Sequence, residues 1–402
     1  MHINYLNYKN KGMQRFANML FTVLCISILM QGNKMIDIPN IITLSILLIG
    51  GAIVILSNNI KVFYESSMVF FCIMLTFLMI LISFVNPRYF DCFMAWKGTF
   101  NFYVFILIAF IYTSLTSKNN KYWIIVNRIS DISVFILFIQ LITFKILGIE
   151  LHNLNIYGNL LFNAVESGVQ YRPSAFFSEP SHLAEFLLLS YYYYLYIDRN
   201  LKRICLYSVA IVISTSGLGI VGALFLLSLY FFTFDKNISF NGFSKILLML
   251  IRICLIFIMM FVFVVIYGFM IESNHWLIQR LVKGATIEVR VFRSFDIFRR
   301  MDTFEKFFGV GLQNQGNYLN HYAIISKYDT PGSLINREYA QTIGYILVTT
   351  GVIGIISYML GWVKIIFNYN YKIKILVFLF LFLCLASNML TRNIYILFLI
   401  MI

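Results

Sequence analysis

Charge is what this sequence has least of. Only 12% of its 402 residues are Asp, Glu, Lys or Arg, against 60% hydrophobic residues and a mean hydropathy of +0.82. A water-soluble domain carries roughly 25% charged and about 45–50% apolar residues. A chain this poor in charge cannot cover itself with polar surface, so it needs lipid as solvent. No long stretch has globular composition, which excludes a separate soluble domain. Cysteine pairs are missing too. Cys25, Cys72, Cys92, Cys205, Cys254 and Cys384 mostly lie in apolar runs and none form CxxC. They read as packing residues, not as a zinc site or a disulfide framework. There is no HExxH, no GxSxG and no dinucleotide fingerprint after a strand. There is no Asp-x-Asp pair of the kind many metal-dependent sugar transferases use, so neither metal nor cofactor is expected. Internal repeats and low-complexity segments are absent. Ionisable groups are also scarce deep in the apolar runs: Asp131, Lys145 and Glu185 fall near run ends. A proton- or ion-coupled transporter places such groups nearer mid-membrane.

What is present is hydrophobic length. A membrane-spanning helix needs roughly 20 apolar residues. Runs of this kind are 15–31, 40–57, 66–85, 98–116, 130–148, 181–197, 246–271, 341–361 and 373–387. The first is followed by many others, so it reads as a retained helix and not a cleaved signal peptide. Run 204–232 is long for one span and is interrupted by Ser214-Thr215-Ser216-Gly217. The terminal stretch 373–402 is interrupted by Ser387-Asn388 and Thr391-Arg392-Asn393. Each predicts two short, hairpinned helices. The net charge of +14 sits largely in short loops between runs. That is the positive-inside pattern of a membrane protein and not a nucleic-acid footprint. With Lys9, Lys11 and Arg15 in the cytoplasm, alternation keeps Lys118, Lys121, Arg128, Arg199, Lys202 and Arg203 inside. The loop with Lys364, Lys372 and Lys374 stays inside only if 204–232 crosses twice. The resulting expectation is an all-α polytopic membrane protein of about twelve transmembrane helices. It is one integral membrane domain over 1–402, with two sizeable outer loops, 149–180 and 272–340.

Two stretches can carry chemistry. In Arg172-Pro-Ser-Ala-Phe-Phe-Ser-Glu-Pro-Ser-His-Leu-Ala-Glu185 the outer loop enters a helix. Ser178 suits the N-cap and Pro180 the first turn. Glu179 and His182, three apart, share a face at a helix mouth that favours anions. Simple capping at the water interface is the plainer alternative, although capping does not need Arg172, Glu179 and His182 together. In loop 272–340, helical spacing predicts an amphipathic helix over 287–308. Its apolar face is Ile287, Val291, Phe295, Phe298 and Met301, with Arg290, Arg293, Arg299 and Arg300 elsewhere. These arginines suit bidentate phosphate recognition. Contact with lipid headgroups explains them as well. His321 is a reserve candidate that reads first as an exposed loop histidine.

The run centred on Phe177-Ser-Glu-Pro-Ser-His182 resembles the outer-loop motif of bacterial O-antigen and capsular repeat-unit polymerases of the Wzy type. Ser214-Thr-Ser-Gly217 in a split apolar run is similar to that family. So is an arginine-bearing outer loop leading to Gly309-Val-Gly311, and Thr350-Gly351-Val-Ile-Gly354 opening the next helix. Order and spacing match over roughly 95–400. The related O-antigen ligases often carry His-Asn before the last of these runs, where this chain has Ala340 and Gln341, and that favours the polymerase. The resemblance implies a fold like the GT-C membrane glycosyltransferases in the bacterial cytoplasmic membrane, with an outward-facing site. It implies transfer of a growing glycan from undecaprenyl diphosphate to another lipid-linked repeat unit. Lipid-linked oligosaccharides and membrane lipids would be its partners, alongside a flippase and a chain-length regulator, and nucleic acid would not. Such a donor carries its own leaving group, and arginines can replace a metal ion on its phosphates. Arg172 and Arg290, supported by Arg293, are the candidates for the diphosphate. Glu179 or His182 would orient or deprotonate the acceptor. A polysaccharide flippase is the alternative of another class, and it would need polar groups lining a central cavity.

Overall fold

The structure, a computed structural model, describes residues 11–29, 121–148, 151, 173–177, 179–233, 285–322, 341–390 and 392–402. The expected spans 40–57, 66–85, 98–116 and 246–271 lie outside the described residues. Within them the chain is all-α, with no strand. The helices are α1 (Lys11–Leu29), α2 (Lys121–Ile142), α3 (Pro180–Tyr193), α4 (Leu201–Ile213), α5 (Gly217–Thr233), α6 (Ala285–Arg300), α7 (Thr303–Phe308), α8 (Gln315–Tyr322), α9 (Thr342–Asn368), α10 (Tyr371–Ala386) and α11 (Asn393–Met401). Helices α2 and α3 each end in a π-helical turn, Thr143–Leu147 and Tyr194–Asp198.

Among the described residues, two helical segments are long and apolar enough to cross a membrane, Lys121–Leu147 (27 residues) and Thr342–Val363 (22 residues). At 1.5 Å per residue each reaches about 30 Å or more, the thickness of a bilayer core. Their faces are inverted relative to a soluble helix. On α2 the buried stripe includes Ser130, Ser133 and Gln140, while Ile132, Phe135, Ile139, Ile142 and Ile146 are exposed. On α9, Ile356, Leu360, Val363 and Phe367 form another exposed apolar stripe. A helix in water turns its polar side outward. Polar side chains turned in and apolar ones turned out fit a lipid environment, where the outward face gains nothing from polarity.

The described residues group into two compact units, each discontinuous in sequence. One holds α1, α2 as far as Ile129, α6 from Arg293, α7, α8, α9 and α11. Its organising feature is a break in α9. Gly351 has non-helical dihedrals (φ 68°, ψ −167°). An i+4 bond to the carbonyl of Val348 or Thr349 would have to cross that residue. Instead Val310 N–H donates to Val348 O at 3.1 Å and Gly311 N–H to Thr349 O at 2.8 Å. The approach is possible because both sides lack a side chain. A Cβ on Gly309 would collide with the Thr349 and Thr350 backbone, and one on Gly351 with the Phe307 and Phe308 backbone. Gly309-Val-Gly311 is therefore a backbone brace for a broken helix. The Thr350-to-Gly354 run lies at a kink inside α9, not at a helix start. Beside the brace, Ile297, Met301, Val310, Tyr318, Leu319 and Val348 form an apolar core. The first turn of α9 is clasped to the break before α11: Thr342 N–H and Oγ1 both donate to Ser387 O, and Met389 N–H donates to Thr342 Oγ1.

The other unit holds α2 from Ser130, α3, α4, α5, α6 as far as Phe292, and α10. Run 204–232 breaks at Ser214-Thr215-Ser216, as the polar interruption predicts. Thr215 takes a positive φ of 53°, and Ser216 Oγ accepts from Gly219 N–H at the start of α5. Helix α5 lies along α3: added Cβ atoms on Gly219 and Gly222 would meet Ala184 and Leu188, and Tyr196 OH donates to Leu226 O. Small residues let the two backbones close up. The expected break in 373–402 is present too, between α10 and α11.

Two sequence expectations are corrected. The predicted helix 287–308 is two helices, ending at Arg300 and restarting at Thr303, because Asp302 caps the second: its N–H donates to the Glu305 carboxylate at 3.0 Å, half of a capping box. The expected apolar face is buried only in part: Met301 is buried and Phe298 half-buried, whereas Phe295 is 40% exposed and Arg293, Ser294 and Ile297 take the buried positions.

The brace predicts unequal costs for glycine substitutions. Gly351→Ala combines the strain of a backbone region essentially reserved for glycine, about 1–3 kcal/mol, with overpacking of about 1–3 kcal/mol. Gly148→Ala has a similar φ of 66° but open space around its Cβ, so strain alone applies. Thermal unfolding of the purified full chain in detergent should show the larger loss for Gly351→Ala. Equal losses at the two sites would mean that the Gly351 contact carries no stability.

Candidate functional site

The segment entering α3 is built on one glutamine. Ala175 has a positive φ of 52°, an uncommon state for a residue with a side chain. Gln140, buried on α2, holds it from both sides: its Oε1 accepts from Ala175 N–H at 2.8 Å and its Nε2 donates to Ala175 O at 3.4 Å and Leu151 O at 3.3 Å. The turn closes on itself as Phe177 N–H donates to Ser174 O at 2.9 Å and Ser174 Oγ donates to Phe177 O at 2.8 Å. The Phe177 ring then packs on Phe186 with centroids 5.5 Å apart.

That turn delivers the chain to Glu179, whose extended backbone (φ −137°, ψ 148°) makes it the N-cap, with Pro180 at the first helical position. The sequence places the cap at Ser178, one residue earlier. Ser178 itself lies outside the described residues. Glu179 caps through its main chain only. Its carbonyl accepts from His182 N–H at 3.1 Å and Leu183 N–H at 3.3 Å, and its side chain makes no cap bond. The carboxylate instead accepts from Ser181 Oγ at 3.0 Å. Glu179 and His182 are both partly exposed, and one turn deeper Glu185 is fully buried. Residues 179, 182 and 185 thus run a carboxylate, an imidazole and a second carboxylate inward from the helix mouth at i, i+3 spacing.

The second group of candidates lies in the other unit. Arg293 is only 2% exposed. Its neighbour Ser294 packs on α9 at Gly344, where an added Cβ would strike both Ser294 and the Gln341 side chain. Arg299 and Arg300 are exposed, and Arg300 pairs with Asp296 at 3.4 Å. Arg290 is on the α6 backbone three residues before Arg293, and its side chain is outside the described set. His321 is exposed as expected but stands in the last turn of α8, not in a loop. Glu305 is buried, with its carboxylate accepting from Tyr318 OH at 2.7 Å.

The structure therefore brings Glu179 and His182 together in one unit and holds Arg293 and His321 in the other. Arg172 lies outside the described residues. Sequence reading missed Gln140, Ser294 and Glu305. Asp302-x-x-Glu305 is a legible capping pattern, and a lone Gln inside run 130–148 is a legible oddity. Asp131 is also corrected. Because α2 begins at Lys121, Asp131 lies well inside the helix, and it is satisfied there by Arg203 at 2.6 Å and Tyr207 OH at 2.8 Å. No family model matches this chain, and comparison with curated proteins and with solved structures finds no match either.

The Gln140 clamp gives a direct expectation. Gln140→Leu leaves the Ala175 N–H and C=O buried without their partner, at a cost of about 1–3 kcal/mol per group. The Ala175 amide should then exchange its hydrogen faster. Gln140→Glu, which keeps the acceptor, should retain part of the protection. Unchanged exchange in Gln140→Leu would show that the turn stands without the clamp.

Proposed function

We propose that this chain is a polysaccharide repeat-unit polymerase of the bacterial cytoplasmic membrane. It has about twelve transmembrane helices in a GT-C-like arrangement, and its site faces outward. It transfers a growing glycan from undecaprenyl diphosphate to the terminal sugar of another lipid-linked repeat unit. The observation that carries this reading is the helix mouth. There the Glu179 carboxylate is not used for capping and stands one turn from His182. A hydroxyl bound there meets a base and an orienting group within one helical turn. Arg293 supports it. An arginine serving lipid headgroups belongs on the exposed face with Arg299 and Arg300, whereas Arg293 is buried beside Ser294. A fixed guanidinium suits a diphosphate whose charge grows as the glycosyl bond breaks. In this reading Arg172 and Arg290 join Arg293 on the phosphates, and Glu179 or His182 takes or orients the acceptor proton.

Deleting the gene separates the readings. Loss of a polymerase leaves single repeat units at the surface, loss of a flippase leaves none outside, and loss of a ligase leaves intact polymer on its lipid carrier.

Topology is tested with cysteines at Asn163 and Ser326 in a chain freed of its own cysteines; both positions lie outside the described residues. Both should react with impermeant thiol reagents in spheroplasts. Protection of Ser326 in an active variant would overturn the twelve-helix arrangement.

Chemistry is tested on the glycan ladder at matched membrane abundance. Glu179→Gln and His182→Ala should abolish or cripple polymer. Arg293→Lys should keep the charge but lose bidentate binding. Removing one charge-assisted hydrogen bond costs roughly 1.5–3 kcal/mol, about ten- to a hundredfold in rate. Arg299→Ala should give a full ladder. A full ladder from both Glu179→Gln and His182→Ala would remove the helix mouth from the mechanism.

A further inference from the structure

Helix α2 is joined to α3 at two levels. Ser190 Oγ donates to Ser130 Oγ at 2.7 Å near the end of α3, and Gln140 bonds the segment just before its start. The two helices therefore run antiparallel. Gln140 and Pro180 each stand about ten residues from the serine pair, about 15 Å of helix. Gln140 is thus level with the mouth of α3.

The contact at that level uses the whole carboxamide. Its Oε1 accepts from Ala175 N–H at 2.8 Å, and its Nε2 donates to Ala175 O and to Leu151 O. Leu151 follows α2 and Ala175 precedes α3, so one side chain ties both ends of the connection between these helices. A carboxamide offers an acceptor and two donor hydrogens on one planar head. An ionised glutamate at 140 would keep only the acceptor, and a lysine or arginine only donors. The backbone it holds does not hold itself, because a φ of 52° is uncommon for a residue with a side chain. Ala175 lies inside the Ser174–Phe177 turn, and Glu179 stands just past that turn with the extended backbone of an N-cap. The direction in which Glu179 enters α3 is set by a turn that α2 fixes.

We infer that Gln140 is a positioning residue of the reaction: by holding the Ala175 turn it fixes where the Glu179 carboxylate meets the acceptor. This rests on the polymerase reading and adds to it a residue that touches no substrate. Gln140 is buried, so it acts through the chain it binds. A displacement of about 1 Å at a reacting group can cost about a hundredfold in rate. The loss falls on kcat, because an acceptor that still binds is misaligned with its base.

The test uses the full chain. The first readout is amide hydrogen exchange in detergent, which does not depend on what the chain catalyses. His182 and Leu183 N–H both donate to Glu179 O. In Gln140→Leu these two amides should exchange faster along with Ala175. Ile204 N–H, bonded to Asn200 O at the start of α4, should keep its wild-type rate. Gln140→Glu, which keeps the acceptor, should fall between, and it serves alone if Gln140→Leu fails to fold. Faster exchange at Ala175 only would overturn the proposal, since the clamp would not reach the mouth. So would faster exchange at every site, the mark of general loosening. The second readout is the rate at which membranes lengthen lipid-linked repeat units. Gln140→Leu should lower kcat about ten- to a hundredfold with KM within about twofold. Added to Glu179→Asp, which already displaces the carboxylate, it should cost no more than about twofold further. Full multiplication of the two losses would show that Gln140 does not act through Glu179, and that too would overturn it. Wild-type membranes that lengthen nothing would sink the polymerase reading, while the exchange result would still decide whether Gln140 positions the mouth.

Discussion

The carbonyls of Val348 and Thr349 sit on the turn of α9 that Gly351 breaks, and in apolar surroundings they have no water to turn to. An unmet backbone group costs several kcal/mol in hydrocarbon. The chain meets the cost by bringing a second backbone segment, Val310 to Gly311, into hydrogen-bonding contact. Much of the first unit follows from that contact. It needs glycine at 309 and 351, because no side chain fits between the two backbones. It seats α7 against α9, and it places Val310 in the apolar core with Ile297, Tyr318 and Val348. The same demand recurs where Gln140 pairs with both main-chain groups of Ala175, and where Thr342 clasps the Ser387–Met389 break. Each irregular segment is held by a donor or acceptor from a regular helix.

This requirement governs where chemistry can sit. A helix interior facing lipid has no spare backbone groups, and polar side chains there turn inward, as Ser130, Ser133 and Gln140 do on α2. Groups able to meet a substrate gather at helix starts, where N–H groups are unpaired by geometry. The mouth of α3 is such a start. Because the main chain of Glu179 does the capping, its carboxylate makes no cap bond and accepts from Ser181 Oγ instead.

Breaks in the helices were the most legible feature. Polar runs such as Ser214-Thr215-Ser216 and Ser387-Asn388 interrupt apolar sequence in a way no lipid-facing helix tolerates, and both are breaks in the structure. The kink at Gly351 was not legible, since glycine is common in membrane helices and carries no sign of its dihedrals. The apolar face of α6 was legible only in part. Periodicity groups Phe295 with Met301, yet Met301 is buried and Phe295 is 40% exposed. Where lipid can lie outside, phenylalanine is at home on the surface, and burial goes to whatever packs best, here Ser294 on Gly344. The cap at Glu179 differs from the expected Ser178 by one residue, a distance that propensity does not resolve.

Arg293 is a buried cation of the first unit. Taking a guanidinium out of water costs several kcal/mol before any partner repays it. A helix whose arginines served only to touch lipid headgroups would have no reason to bear that cost. Arg299 and Arg300, about two turns on, show the inexpensive arrangement, with exposed heads and, for Arg300, a surface pair to Asp296. Burial does, however, give a fixed direction and a low dielectric, the conditions under which one cation stabilises a charge that develops during reaction far better than it would in water.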